Sequence, residues 1–150
     1  RRVYYIGKKR FDRRGAVGTH HYVDLSYLDD DYSRLVDLKK EYTIVAVDNN
    51  ISNTHKLGEF DWLSLEKPPL MLFGEEGVGL TTSALEIADY CVEIPQYGSV
   101  RSLNVGTSSG ILMYDFVRSL ESSKVAHRWQ TKIHGENGSA PNESSQLALL

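Results

Sequence analysis

The amino-acid sequence predicts an α/β domain with a mostly parallel sheet flanked by helices. Short apolar, β-branched runs alternate with helical patterns along the chain, the ordering expected of strands joined by helical crossovers. Two glycine-rich turns, Phe73 to Leu80 and Gln96 to Gly98 with its flanks, each follow an apolar strand. Ligands of parallel sheets bind beyond the carboxyl ends of the strands, where both turns fall. A length of 150 residues fits one hydrophobic core.

In chain order, Val3 to Ile6 reads as a strand and Lys8 to Val23 as a long polar, glycine-containing irregular segment. Asp29 to Asp31 is an acidic helix entry, with Leu35, Val36 and Leu38 on one side of a helix over Asp31 to Glu41. Tyr42 to Val47 is β-branched and reads as a buried strand. Asp48 to Glu66 is loop-rich, anchored to the core by Leu57, Phe60, Trp62 and Leu65. Pro68 and Pro69 end that segment, and Leu70 to Phe73 forms the next strand.

Ser83 and Glu86 have capping-box spacing, which starts a short helix within Thr81 to Ala88. Tyr90 to Ile94 returns as a strand. Asn104 to Leu120 carries the clearest helical pattern, placing Val105, Ser109, Leu112, Phe116 and Leu120 on one face. Gly106 and Gly110, one turn apart, allow close approach of another backbone. The domain is expected over residues 1–121, and residues 122–150 read as a polar, disordered tail rich in serine and glycine.

Apolar content of 41% and charged content of 25% are ordinary for a soluble globular protein. The apolar runs are too short to span a bilayer as a helix. The lone Cys91 excludes an internal disulfide and a cysteine-based zinc site, and a cytoplasmic setting is expected. The histidines lack ligand spacing with carboxylates, so no metal site is expected.

Net charge is −3, yet residues 1–14 hold seven basic groups against Asp12 alone, a local +6. The other 10 basic and 19 acidic residues make the remainder −9. Lys8, Lys9, Arg10, Arg13 and Arg14 are candidate RNA-phosphate contacts, with Phe11 and Tyr22 able to stack on bases. A solvated basic chain end fits the same residues equally well.

Gly74 to Thr81 nearly matches the phosphate-binding pattern G-x-x-x-x-G-K-[ST], but Leu80 stands where lysine would meet phosphate. Glu75 and Glu76 would repel a triphosphate. A ligand that is cationic or neutral at its reacting centre fits better, while the glycines taken alone fit a tight strand-to-helix turn. Arg101, Ser102 and Asn104 follow the second turn. Ser102 does not stand in a G-x-S-x-G elbow, and no oriented histidine supports it as an acyl-transfer nucleophile. Helix capping suits Ser102 and Asn104 as well as a pocket role does.

At these residues the chain resembles the SpoU/TrmH-type RNA 2′-O-ribose methyltransferases of the SPOUT class. Leu70 to Leu80 matches the second motif, an apolar strand followed by G-x-E-G-x-G-L. Ile94 to Gly110 matches the third, I-P-x-x-G-x-x-x-S-L-N-V before small residues and a helix. The step of twenty residues from Gly74 to Ile94, and nine more to Leu103, also fits. Weaker similarity runs back to Arg1–Tyr4 and on to about Leu120.

The resemblance implies a C-terminal trefoil knot, otherwise rare in proteins, S-adenosylmethionine as cofactor, and a homodimer acting on tRNA or rRNA. It implies cofactor contacts from Gly74, Ile94 and Leu103, and a catalytic pocket shaped by Glu76, Ser102 and Asn104. The family's first motif, N-x-G-x-[IL]-x-R-[TS], has no match in this chain. Truncation ahead of Arg1 is the expectation, with Arg101 fitting a phosphate or packing role better than that of a substitute arginine. The alternative is a knotted RNA-binding module without methyl transfer. A dinucleotide-binding oxidoreductase is disfavoured because G-x-G-x-x-G is absent from the strand ends.

Overall fold

In the computed structural model the described residues are 2–7, 18–28, 32–49, 51–75, 77–99 and 102–121. Strands β1 (Arg2–Tyr5) and β2 (Asp24–Tyr27) precede helix α1 (Ser33–Leu38) and strand β3 (Thr43–Val47). Then come β4 (His55–Lys56), β5 (Pro69–Phe73), α2 (Thr82–Ile87), β6 (Tyr90–Glu93) and the long helix α3 (Val105–Glu121). Short 3-10 turns lie at Thr19–Tyr22 and Trp62–Ser64.

Every pairing between these strands is parallel. Strands β1 and β2 form a two-stranded sheet, and the second sheet runs β4-β6-β3-β5. The molecule is therefore an α/β fold with parallel sheet and helices. Strand β3 is the centre of the larger sheet, and its Ile44, Val45 and Ala46 are fully buried. Burial on both faces is why the run from Thr43 to Val47 is continuously apolar and β-branched rather than alternating.

Val45, Phe60, Trp62, Leu65, Val92 and Leu112 form the core beside this strand, with Leu57 and Phe116 partly buried against it. The loop-rich stretch after β3 thus supplies the anchors expected of it. Phe60 meets Trp62 edge-on at a centroid distance of 4.7 Å, and Trp62 meets Phe116 at 5.6 Å, geometry that adds to simple area burial.

The amino end of the larger sheet is tied by Asp89. Its Oδ2 accepts a hydrogen bond from the Ile44 amide at 2.8 Å, and its Oδ1 pairs with Lys39 Nζ at 2.8 Å. Lys39 also donates to the Ile87 carbonyl, and Lys67 donates to the Lys39 carbonyl. One carboxylate thereby fixes the end of α1, the start of β3 and the turn from α2 into β6.

Several elements differ from expectation. Helix α1 is confined to Ser33–Leu38, entered through Tyr32 at a φ of 56°. Strand β2 and the two-residue β4 carry no independent pattern; they are ordered by pairing with β1 and β6. The capping residue of α2 is Thr81 rather than Ser83. Thr81 Oγ1 accepts from the Ala84 amide at 3.2 Å because the helix opens two residues earlier than the Ser83–Glu86 spacing suggests. On α3, Leu112 and Asp115 are buried, but Val105 is 41% exposed because residues 102–107 are exposed throughout.

The expected tail, 122–150, lies outside the described residues. Among the described residues, no helix is long and apolar enough to cross a membrane.

Candidate functional site at the strand ends

Because β3, β5 and β6 are parallel, their carboxyl ends share one edge. Val47 pairs with Phe73 on one side and Val92 on the other. Three segments leave that edge: Asp48–Asn49 from β3, Gly74 to Leu80 from β5, and Ile94 onward from β6. The two glycine-bearing loops picked out by sequence therefore open from the same edge, on either side of β3.

The Gly74–Leu80 loop is closed on itself. The Glu75 amide donates to the Gly79 carbonyl at 3.2 Å, and the Gly79 amide returns a bond to the Glu75 carbonyl at 2.8 Å. Its tightness accounts for two of its glycines. A Cβ on Gly74 would stand 2.2 Å from the Gly79 carbonyl carbon. Gly79 has a φ of +77°, and a Cβ there would also meet Asp48 Oδ2 at 2.9 Å. Leaving the loop, Thr81 caps α2 and its hydroxyl donates to Tyr32 Oη at 3.1 Å.

Ile94 is partly buried against the core, and its amide donates to Asn49 Oδ1 at 3.2 Å. Beyond Pro95 and Gln96 the chain emerges, and Tyr97 is 99% exposed. Ser102, Leu103 and Asn104 are exposed at the entry to α3. Asn104 Oδ1 accepts from the Gly106 amide at 2.8 Å and the Thr107 amide at 3.3 Å. It is the N-cap of α3, satisfying amides that the first helical turn leaves unpaired.

Of the candidate residues, Gly74 and Ile94 come together at the shared edge, while Ser102, Leu103 and Asn104 form the approach to α3. Glu76, Arg101, Lys8, Lys9, Arg10, Arg13 and Arg14 lie outside the described residues, as does Phe11. Tyr22 is 83% exposed.

Sequence reasoning missed Asp48 and Asn49. Asp48 Oδ2 accepts from the Leu80 amide at 3.3 Å, and the Asp48 amide donates to the Val92 carbonyl at 3.2 Å. The available signal was positional: Asp-Asn-Asn follows the apolar β3 run directly, at the strand end where ligands of parallel sheets gather.

The described side chains of these three segments are acidic or neutral, with Lys56 at the end of β4 standing opposite Glu93. They include Asp48, Asn49, Glu75 and Glu93, and no lysine or arginine occurs among the described residues of the two loops. Burial pushes the thiol pKa of Cys91, on β6, up and the Asp48 carboxylate adds to the shift, which disfavours the thiolate. A separate polar cleft of about 410 Å³ lies between β1, β2 and α1, lined by Arg2, Tyr4, Asp24, Ser26, Arg34 and Glu41 among others.

The model of the SpoU rRNA Methylase family matches residues 2–114. The tRNA (guanosine(18)-2′-O)-methyltransferase of Aquifex aeolicus (strain VF5) is 30% identical over 131 residues, covering 84% of this chain and 60% of that enzyme. The crystal structure of the A. aeolicus TrmH/SpoU tRNA modifying enzyme superposes with a TM-score of 0.68 at 30% identity, covering 81% of this chain and 62% of that one. An AdoMet-bound rRNA methyltransferase from Sinorhizobium meliloti shares the fold with a TM-score of 0.64 at 23% identity, over 77% of this chain and 44% of the other. This chain therefore spans about 60% of the length of its Aquifex relative.

Proposed function

The chain belongs to the SpoU rRNA methylase family, and from that membership we propose that it works as an RNA 2′-O-ribose methyltransferase. The cofactor is S-adenosylmethionine and the substrate is tRNA or rRNA. One observation carries this reading: the two glycine-bearing loops leave parallel strands on either side of β3 at one edge, and the β5 loop is closed over backbone rather than over a lysine.

The residues present fit the cofactor. A sulfonium is cationic, and the edge carries Asp48, Glu75 and Glu93 with no described basic side chain on either loop, Lys56 standing on β4 opposite Glu93. Backbone of Gly74 to Leu80, with Ile94 and Leu103, would hold it. Bound S-adenosylmethionine supplies an electrophilic methyl group, so the protein's work is to position the ribose hydroxyl and ease its proton loss. Glu76, Ser102 and Asn104 are assigned to that pocket. Asn104 Oδ1 is committed to capping α3, so any role of this residue on a ligand falls to its Nδ2 donor.

Lys8, Lys9, Arg10, Arg13, Arg14 and Arg101 are assigned to RNA phosphates. We also assign the family's trefoil knot to the stretch from Ile94 to Leu120, and a homodimer to the outer side of α3. Gly110 supports the latter, since among the described residues nothing beyond its own helix turn comes within 4 Å of where its Cβ would be.

The experiment is methyl transfer from labelled S-adenosylmethionine to tRNA and rRNA, with the product nucleosides identified by mass spectrometry. Because the Aquifex relative is named for guanosine 18 of tRNA, tRNA is the first substrate to assay. A 2′-O-methylated nucleoside is expected. RNA binding without transfer would instead support the knotted RNA-binding module, and absence of both cofactor binding and ribose methylation would overturn the reading.

A further inference from the structure

We propose that Asp48 and Asn49 are positioning residues of the ligand pocket, each holding one of its two loops through a backbone amide. This inference rests on the methyltransferase reading for the identity of the ligand, but the clamp itself stands on geometry. Two consecutive residues at the end of the central strand reach in opposite directions along the sheet edge. Asp48 Oδ2 takes the Leu80 amide at 3.3 Å, closing the β5 loop, and Asn49 Oδ1 takes the Ile94 amide at 3.2 Å, opening the β6 loop.

Strand β3 lies between β5 and β6 in the sheet, so it alone can reach both loops over a short span. Its body is rigid: Ile44, Val45 and Ala46 are fully buried, and the Asp48 amide is bonded to the Val92 carbonyl. The two loops share no strand pairing with each other, because β5 and β6 flank β3 from opposite sides. Their relative spacing is therefore transmitted through β3 and its two terminal side chains. The four bonded groups are only partly buried, so losing an acceptor lets water in and the loop shift rather than unfolding the core. Gly79 belongs to the same device, since any side chain there would collide with the Asp48 carboxylate.

A pocket built from backbone on two loops tolerates little change in their separation, because misplacing a positioned group by an ångström is enough to lose most of its effect. Acceptor and charge roles of Asp48 separate cleanly with S-adenosylhomocysteine as the probe, since its sulfur is neutral. Asn at position 48 and Asp at position 49 each retain an oxygen acceptor, whereas Ala at either site does not.

The test titrates S-adenosylhomocysteine into wild type, D48A, D48N, N49A and N49D by calorimetry, and records amide hydrogen exchange at Leu80 and Ile94 by NMR. D48A and N49A are expected to bind about tenfold more weakly, the effect of one lost hydrogen bond, with D48N and N49D close to wild type. Exchange at Leu80 should quicken in D48A but not D48N, and at Ile94 in N49A but not N49D. Unchanged affinity in both alanine variants, or conservative variants as impaired as the alanines, overturns the proposal. If wild type binds no S-adenosylhomocysteine, the methyltransferase reading fails, and exchange at the two amides still decides whether the clamp exists.

Discussion

The indole Nε1 of Trp62 donates to Asp115 Oδ2 at 2.9 Å in the buried interior. The two residues lie 53 positions apart in sequence, and their bond fastens α3 to the 3-10 turn after β4. Asp115 Oδ1 is in turn held by Arg118 Nη2 at 2.9 Å, one turn along the helix. The contact fixes where α3 lies and hence where its entry at Ser102–Asn104 stands relative to the sheet edge.

Replacing Asp115 by Ala would strand a buried indole N–H and should cost about 1–3 kcal/mol, the usual penalty for an unsatisfied buried donor. D115N keeps an oxygen acceptor and should lose less. Urea unfolding followed by tryptophan fluorescence measures both. Equal losses for the two variants would show that the indole bond contributes nothing beyond volume.

Gly74→Ala is predicted to damage both fold and site. Its Cβ would meet the Gly79–Leu80 peptide, at 2.2 Å from the Gly79 carbonyl carbon and 2.5 Å from the Leu80 nitrogen. Backbone cannot swing aside as a side chain does, so the closed loop must open, at a cost of about 1–3 kcal/mol typical of overpacking. Gly98→Ala is the control, since among the described residues nothing beyond its chain neighbours lies within 4 Å of its Cβ position, and its effect should stay within about 0.5 kcal/mol. Thermal unfolding and cofactor titration of the two variants check the contrast.

What was legible in the sequence follows from where each signal originates. Strand β3 was legible because burial on both faces leaves a local mark, an unbroken apolar run. The glycines of the β5 loop were legible because a tight turn imposes its own residue type. Strand β2 and the two-residue β4 were not, since neighbouring strands order them. Asp48 and Asn49 escaped for a related reason: their partners lie 32 and 45 residues away, and no local periodicity encodes such a bond. Asn104 shows the converse, a residue whose capping role was local enough to read directly.

Stability should fall on the alkaline side. Burial pushes the Cys91 thiol up from its ordinary 9.0 and the Tyr42 phenol up from its ordinary 10.0, the latter with a further contribution from Tyr4. For each group the folded state holds its proton more tightly than the unfolded chain does. Stability is thus fully present below the ordinary value and is lost as pH rises through it toward the raised one. Urea midpoints measured from pH 8 to 11 should decline, and C91A should flatten the limb that begins near pH 9. An unchanged slope in C91A would rule out the buried thiol as a source.

RNA affinity should weaken steeply with salt if the basic segment from Lys8 to Arg14 meets phosphates. Each phosphate neutralised contributes a slope of about −0.7 to −0.9 in a plot of log affinity against log salt. Substituting Lys8 and Lys9 by Gln should make that slope shallower by about 1.4 to 1.8. Filter binding across a salt series reads it, and a slope indifferent to both substitutions would reassign the segment to a solvated chain end.

The proposed homodimer makes the last prediction. On α3, Leu112 and Asp115 face the interior, while Val105, Met113, Tyr114 and Val117 are 41%, 54%, 71% and 36% exposed. Gly110 adds a position with no neighbour among the described residues beyond its own helix turn. Apolar groups and a bare glycine gathered along a helix suit close approach of a second copy. On a monomer, Met113→Glu would be a surface change worth no more than about 0.5 kcal/mol. At a dimer interface the same carboxylate would be desolvated without a partner, and association should be lost. Sedimentation velocity is expected to find wild type dimeric and M113E monomeric, with unaltered circular dichroism. A monomeric wild type, or an M113E variant that remains dimeric, would remove α3 from the interface.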